Sequence, residues 1–101
     1  MLIKELIDGN AACLNLEGRF DFHSQQDFRS AYETMLTKPE IGELRLDFSR
    51  VDYLDSSALG MLLLLREEAD AAGKRVKLAN LSGVVKQVVE IANFGKLFTI
   101  Q

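Results

Sequence analysis

The residues that could do chemistry are few: Asp55-Ser56-Ser57, a single histidine (His23), a single cysteine (Cys13), and the carboxylates Asp47 and Asp52 that precede Asp55. A serine nucleophile needs a base within reach and a third group to orient that base. His23 is the only imidazole, and neither serine lies in a Gly-x-Ser-x-Gly elbow. Beside Ser24, at a loop-to-helix junction, the ordinary state of His23 is solvated. A metal site needs three or four convergent ligands, and one His, one Cys and scattered carboxylates do not supply them. No cofactor is expected either, because no glycine-rich phosphate loop of the usual spacing occurs. Asp47, Asp52 and Asp55 resemble the acidic cluster of a phospho-acceptor receiver domain, but 101 residues are too few for five strands alternating with five helices. Catalysis by this chain is therefore not expected. The hydroxyls are better read as groups acted upon.

A serine in the first turn of a helix can carry a phosphate without melting that helix, since the unpaired N–H groups and the positive end of the dipole favour an anion there. The modification adds about 1.5 to 2 negative charges at neutral pH. A partner that buries the neutral hydroxyl would then meet an unpaired charge, at a cost of several kcal/mol unless it supplies a cation. The plainer reading stays open: Asp and Ser are the commonest helix caps, and the three residues could do nothing more.

Helix geometry separates the two hydroxyls. With Ala58 at zero and 100° per residue, Ala58, Leu62, Leu65, Ala69 and Ala72 fall on one buried line. Ser56 falls at about 160°, in a column with Gly60, Leu63 and Glu67 that faces solvent. Ser57 lies on a flank shared with Leu64 and Glu68, where local packing or hydrogen bonding is expected to occupy it. An exposed Leu63 beside an unencumbered Ser56, with no side chain at Gly60 between them, forms a candidate docking patch. Cover of Leu63 by another helix or a loop is the alternative.

The elements that must position these residues follow from periodicity. Two apolar stretches, near 2–7 and 11–17, flank Asp8-Gly9 and read as a hairpin. Ser24, with Asp27 three residues on, reads as the N-cap of a helix that carries Phe28, Ala31, Tyr32, Met35 and Leu36 on one face and stops before Pro39. "ELRLDF" alternates as a strand with one wet face. A helix runs from about Ser56 to Ala72 and ends at Gly73 as a left-handed C-cap. "RVKLAN" is a further strand, Ser82 caps "VVKQVVEIAN", and "KLFTI" after Gly95 is a candidate last edge strand. Strand–helix–strand units pair in parallel whereas the opening hairpin is antiparallel, so the sheet should be mixed.

Composition sets the limits. At 48% hydrophobic and net charge −3, the chain suits one globular domain, 1–101, and lacks the basic field that nucleic acid requires. The longest apolar run is far short of the roughly 20 residues that span a bilayer, so no membrane insertion is expected. A lone cysteine and no basic-then-apolar start point to the reducing cytoplasm.

The segment "LRLDFSRVDYLDSSALGMLLLL" resembles the centre of STAS domains, in particular the bacterial anti-sigma factor antagonists, in which a strand leads to Asp-Ser-Ser-Gly-Leu-Gly at a helix start. "LEGRFDF" and "SGVVKQVVEIANFGKLF" extend the likeness over nearly the whole chain. It implies an α/β STAS-type fold, with a mixed four- to five-stranded sheet and helices mainly on one face. It also implies partner switching. Ser56 matches the phosphorylated serine, Asp55 the aspartate before it, and Asp21 an acidic residue near that site. The implied partners are an anti-sigma factor that is also a serine kinase of the histidine-kinase-like ATPase fold, and a metal-dependent serine phosphatase that resets the switch. Ala58 departs from the family's Gly, which firms the helix start by up to about 1 kcal/mol. Other members are never phosphorylated and brace the ATPase of lipid-transport ABC complexes.

Overall fold

In the computed structural model, which describes residues 1–101, strands β1 (Leu2–Asp8), β2 (Ala11–Phe20), β3 (Glu43–Leu54), β4 (Arg75–Ala79) and β5 (Thr99–Ile100) form one sheet in the order β1-β2-β3-β4-β5. β1 is antiparallel to β2, and every later pair is parallel. The opening turn is Gly9-Asn10, with Gly9 at φ +63, the positive φ that a tight hairpin turn demands at its first central position.

Each parallel step needs a crossover: α1 (Gln25–Leu36), α2 (Ser56–Ala71) and α3 (Gly83–Ile91). Right-handed crossovers that all advance in the same direction place their helices on the same face. That face holds the core. Leu14, Leu16, Leu44, Leu46, Phe48, Val76 and Leu78 alternate along their strands toward Phe28, Tyr32, Leu62, Leu65, Val85 and Val89. The opposite face carries Cys13, Asn15 and Glu17 on β2 and Glu43, Arg45 and Asp47 on β3, all half-buried. The mixed sheet with helices on one face is thus as expected, and five strands form.

Several boundaries differ from the sequence reading. Ser24 does not cap α1: a 3-10 turn, Phe22–Ser24, precedes the helix, and Asp21 caps that turn by accepting from the His23 amide at 3.0 Å. The buried Ser24 hydroxyl donates to the Arg19 carbonyl at 2.9 Å and accepts from the Asp21 amide at 3.3 Å. Asp27, expected in a box with Ser24, is exposed in the first turn. β3 runs on past "ELRLDF" to Leu54, and its pairing with β2 reaches Phe20 through two register shifts. "KLFTI" contributes only Thr99–Ile100 as strand, because the 3-10 turn Phe94–Lys96 buries Phe94 first. Ala72 leaves the buried line of α2. It is the exposed C-cap residue, followed by Gly73 at φ +73.

The end of α2 shows why that glycine is there. The Lys74 amide donates to the Ala69 carbonyl at 2.9 Å and the Gly73 amide to that of Asp70 at 3.1 Å, the paired bonds of a Schellman motif. The turn delivers the Lys74 ammonium to the carbonyls of Lys38 and Ile41, which pins the α1–β3 loop to the start of β4.

Candidate functional site

Asp55 breaks from β3 in an extended conformation, φ −114 and ψ −176, and its carboxylate accepts from the Ala58 amide at 3.1 Å. It is therefore the N-cap of α2, and Ser56 and Ser57 are its first two helical residues. Neither has an intrahelical acceptor for its own amide. The Ser56 hydroxyl is exposed and makes no hydrogen bond within the protein. Ser57 is half-buried, as its flank position predicts, but its hydroxyl also bonds nothing, so packing alone occupies it. The two serines do not cap the helix; Asp55 does.

The column expected to face solvent does so at all four positions: Ser56, Gly60, Leu63 and Glu67 are exposed. Leu63 is 39% exposed and lies outside the buried core, which leaves part of its side chain open to a partner. On the flank, Glu68 turns to α1 and accepts the Tyr32 hydroxyl, a pairing with which burial and then the Glu68 carboxylate hold that phenol protonated well above its ordinary range. Together with the buried Ala58, Met61, Leu62, Leu65 and Ala69, this bond sets α2 against its neighbours with Ser56 facing out.

Asp21 reaches the same end of the sheet. The Asp55 amide donates to the Phe20 carbonyl at 3.4 Å, and the 3-10 turn that begins after Asp21 packs on α2. Asp21 pairs with Arg19 at 3.4 Å, and the Arg19 guanidinium lies 3.9 Å over the Tyr53 ring. Phe22 is 65% exposed beside His23, which is also exposed. The sequence reading missed Arg19, Phe22 and Tyr53. Strand alternation places Phe22 with the core residue Phe20, and only the 3-10 turn swings it out.

The other candidates disperse. Asp47 is a half-buried residue of β3, on the open face of the sheet, bonded by the Ser49 amide at 2.8 Å and by Asn80 at 3.0 Å. Burial pushes its carboxyl up, but these bonds and the Arg45 charge outweigh it and hold it below the usual carboxylate range. Asp52 is exposed. Cys13 lies across from Arg45, and burial pushes its thiol up despite that charge. No three His, Cys, Asp or Glu side chains group to hold a metal ion.

A fold of three helices on one face of a mixed sheet, with an Asp-Ser-Ser helix start at the carboxyl end of its central strand, defines a class, and the comparisons agree. A family model described as "Mlab, STAS domain" matches residues 3–99, and the chain belongs to the STAS domain family. It is 45% identical over 93 residues to a STAS-domain containing protein of Pseudomonas aeruginosa (strain UCBPP-PA14), covering 92% of this chain and 90% of that one. Among solved structures it superposes on the Bacillus cell fate determinant SpoIIAA in its phosphorylated form with a TM-score of 0.74 at 21% identity, over 99% of this chain and 91% of that one. An anti-sigma factor antagonist from Mycobacterium paratuberculosis gives 0.86 at 14%, over 98% and 83%. The fold is that of the anti-sigma factor antagonists. No helix is long and apolar enough to cross a membrane.

Proposed function

We propose that this STAS domain is a phosphorylation-controlled binding module of the anti-sigma factor antagonist kind, working in the cytoplasm as a ligand and a substrate with no catalysis of its own. The observation that carries the reading is the Ser56 hydroxyl: exposed, unbonded and at the first position of α2, while the adjacent carboxylate caps the helix. In the unmodified form Ser56, Gly60 and Leu63 dock against the partner, with Phe22 and Tyr53 widening the contact at the same end of the sheet. A phosphate on Ser56 rests on the free first-turn amides, so the fold survives, while the partner's dry contact meets a charge of about −2 and lets go. Asp21 and Asp55 make that surface more acidic still. The partner is an anti-sigma factor that doubles as a serine kinase of the histidine-kinase-like ATPase fold, and a metal-dependent serine phosphatase restores the binding form.

A second reading is a constitutive subunit that is never phosphorylated, such as the brace of a lipid-transport ATPase. The description of the matching family model, Mlab rather than antagonist, favours it. Incubation of the purified chain with ATP and a lysate of its source cells separates the two. The switch requires a mass gain of one phosphate that maps to Ser56 and disappears in Ser56→Ala; an unchanged mass leaves the constitutive subunit.

A further inference from the structure

We propose that a cleft at the opposite end of the sheet from Ser56 binds an organic anion with a compact apolar body, a site independent of the switch. Arg75 opens β4 in register with Glu43, the first residue of β3, whereas Ser56 lies two residues beyond Leu54, the last residue of β3, so the two places are a strand's length apart. The cleft, about 310 Å3, lies between the second half of α2, the start of β4 and the turn into β5. Leu97, 38% exposed, gives it an apolar wall beside the nearly buried Val76 and Phe98, and its rim carries Arg66, Arg75 and Lys96 against the carboxylate of Asp70. Lys74 also lines it, but its ammonium is engaged with the Lys38 and Ile41 carbonyls and lends no free charge.

Two features distinguish this from scattered surface charge. The Arg66 guanidinium is held in place: its Nε donates to the Leu97 carbonyl at 2.8 Å and Nη1 lies 4.0 Å from Asp70, and its remaining N–H donors bond nothing else in the protein. A guanidinium fixed in advance loses little freedom when it binds a carboxylate or phosphate. The β4–β5 ladder, moreover, begins only at Lys77↔Thr99, so Arg75 and Val76 pair with β3 on one side and with no strand on the β5 side, and a gap is built into the sheet edge. Lys96 has no ion-pair partner, and Arg75 meets Glu43 only at 3.9 Å. Three cations around one carboxylate, on a chain of net charge −3, concentrate positive field beside the exposed side of Leu97. An anionic head fits Arg66 and Lys96 while the apolar body covers the exposed side of Leu97. Phosphate monoesters and carboxylates share that chemistry.

The test is an NMR titration of the intact chain with phenyl phosphate, benzoate, inorganic phosphate and benzyl alcohol. Phenyl phosphate or benzoate should give saturable shifts centred on the Arg66, Lys96 and Leu97 amides, and the tighter of the two names the head group. Inorganic phosphate should bind more weakly for want of the apolar contact, and benzyl alcohol should not bind. Lys96→Ala, at an exposed position, should loosen binding about fivefold, and Lys96→Glu should abolish it at an unchanged melting temperature. Shifts that spread without saturation, equal shifts from benzyl alcohol, inorganic phosphate binding as tightly as the aromatic anions, or parent-like binding by Lys96→Glu would each overturn the proposal.

Discussion

The amide of Asp55 donates to the carbonyl of Phe20 at 3.4 Å, so the last residue of β2 is tied to the residue that caps α2. Around this tie both nearby carboxylates already serve amides, Asp21 that of His23 and Asp55 that of Ala58. Neither is aimed at the Ser56 hydroxyl as a base. The arrangement holds a serine out from a rigid corner, and it leaves the first two amides of the helix to an incoming anion.

Replacing Ser56 should therefore change binding without changing the fold. Ser56→Ala is expected to hold its partner under phosphorylating conditions that release the parent, and Ser56→Asp to bind poorly. Both should melt within about 4 °C of the parent, since an exposed first-turn position tolerates either side chain. Affinity measured by calorimetry against the kinase, beside thermal unfolding, provides the check; equal affinities for the two variants would remove the switch.

Leu63 gives a second handle, one that does not touch the hydroxyl. It is 39% exposed two turns along from Ser56 and is not part of the buried core. Leu63→Glu should weaken partner binding strongly while costing about 1 kcal/mol of stability or less, because little apolar area returns to water. A loss of several kcal/mol in urea unfolding would mean that Leu63 belongs to the core, and the patch would have to be redrawn.

How far the sequence reveals this can be judged residue by residue. The column Ser56, Gly60, Leu63, Glu67 was legible because a helix of constant pitch maps spacing onto direction, and α2 is regular from its cap to Ala71. Ala72 was misplaced by the same rule, since the wheel has no knowledge of where the Schellman turn takes over. Ser24 looked like a cap because a serine before an amphipathic run is the usual signal. The residue three positions earlier, Asp21, captured the role by nucleating a 3-10 turn, and buried the serine instead. Phe22 and the Arg19–Tyr53 stack depend on how two strand ends meet across a shifted register, which no local pattern encodes.

Asp47 predicts a pH dependence. Its carboxyl titrates below its usual value of about 4, so the folded state prefers the ionised form more than the unfolded chain does. The sign follows: this stabilisation is present above about pH 4 and is lost as pH falls through the depressed folded value. Asp47→Asn should be less stable than the parent near pH 7, with the gap closing as the pH drops below about 4. Urea midpoints for both proteins at several pH values measure it, and a gap that stays constant across the range would show that Asp47 stays out of the acid limb.

Gly60 makes the last prediction, and it couples stability to binding in opposite directions. It lies in the interior of α2, where glycine costs up to about 1 kcal/mol relative to alanine. A Cβ built there meets nothing within 4 Å, and its φ is not positive, so neither crowding nor backbone strain within the chain calls for glycine. The proposed docking face supplies a reason outside the chain: there a partner surface lies against the bare backbone between Ser56 and Leu63. Gly60→Ala should raise the melting temperature by several degrees and at the same time weaken partner binding. A variant that gains stability and binds like the parent would show that nothing approaches α2 there, and would move the docking face away from Ser56.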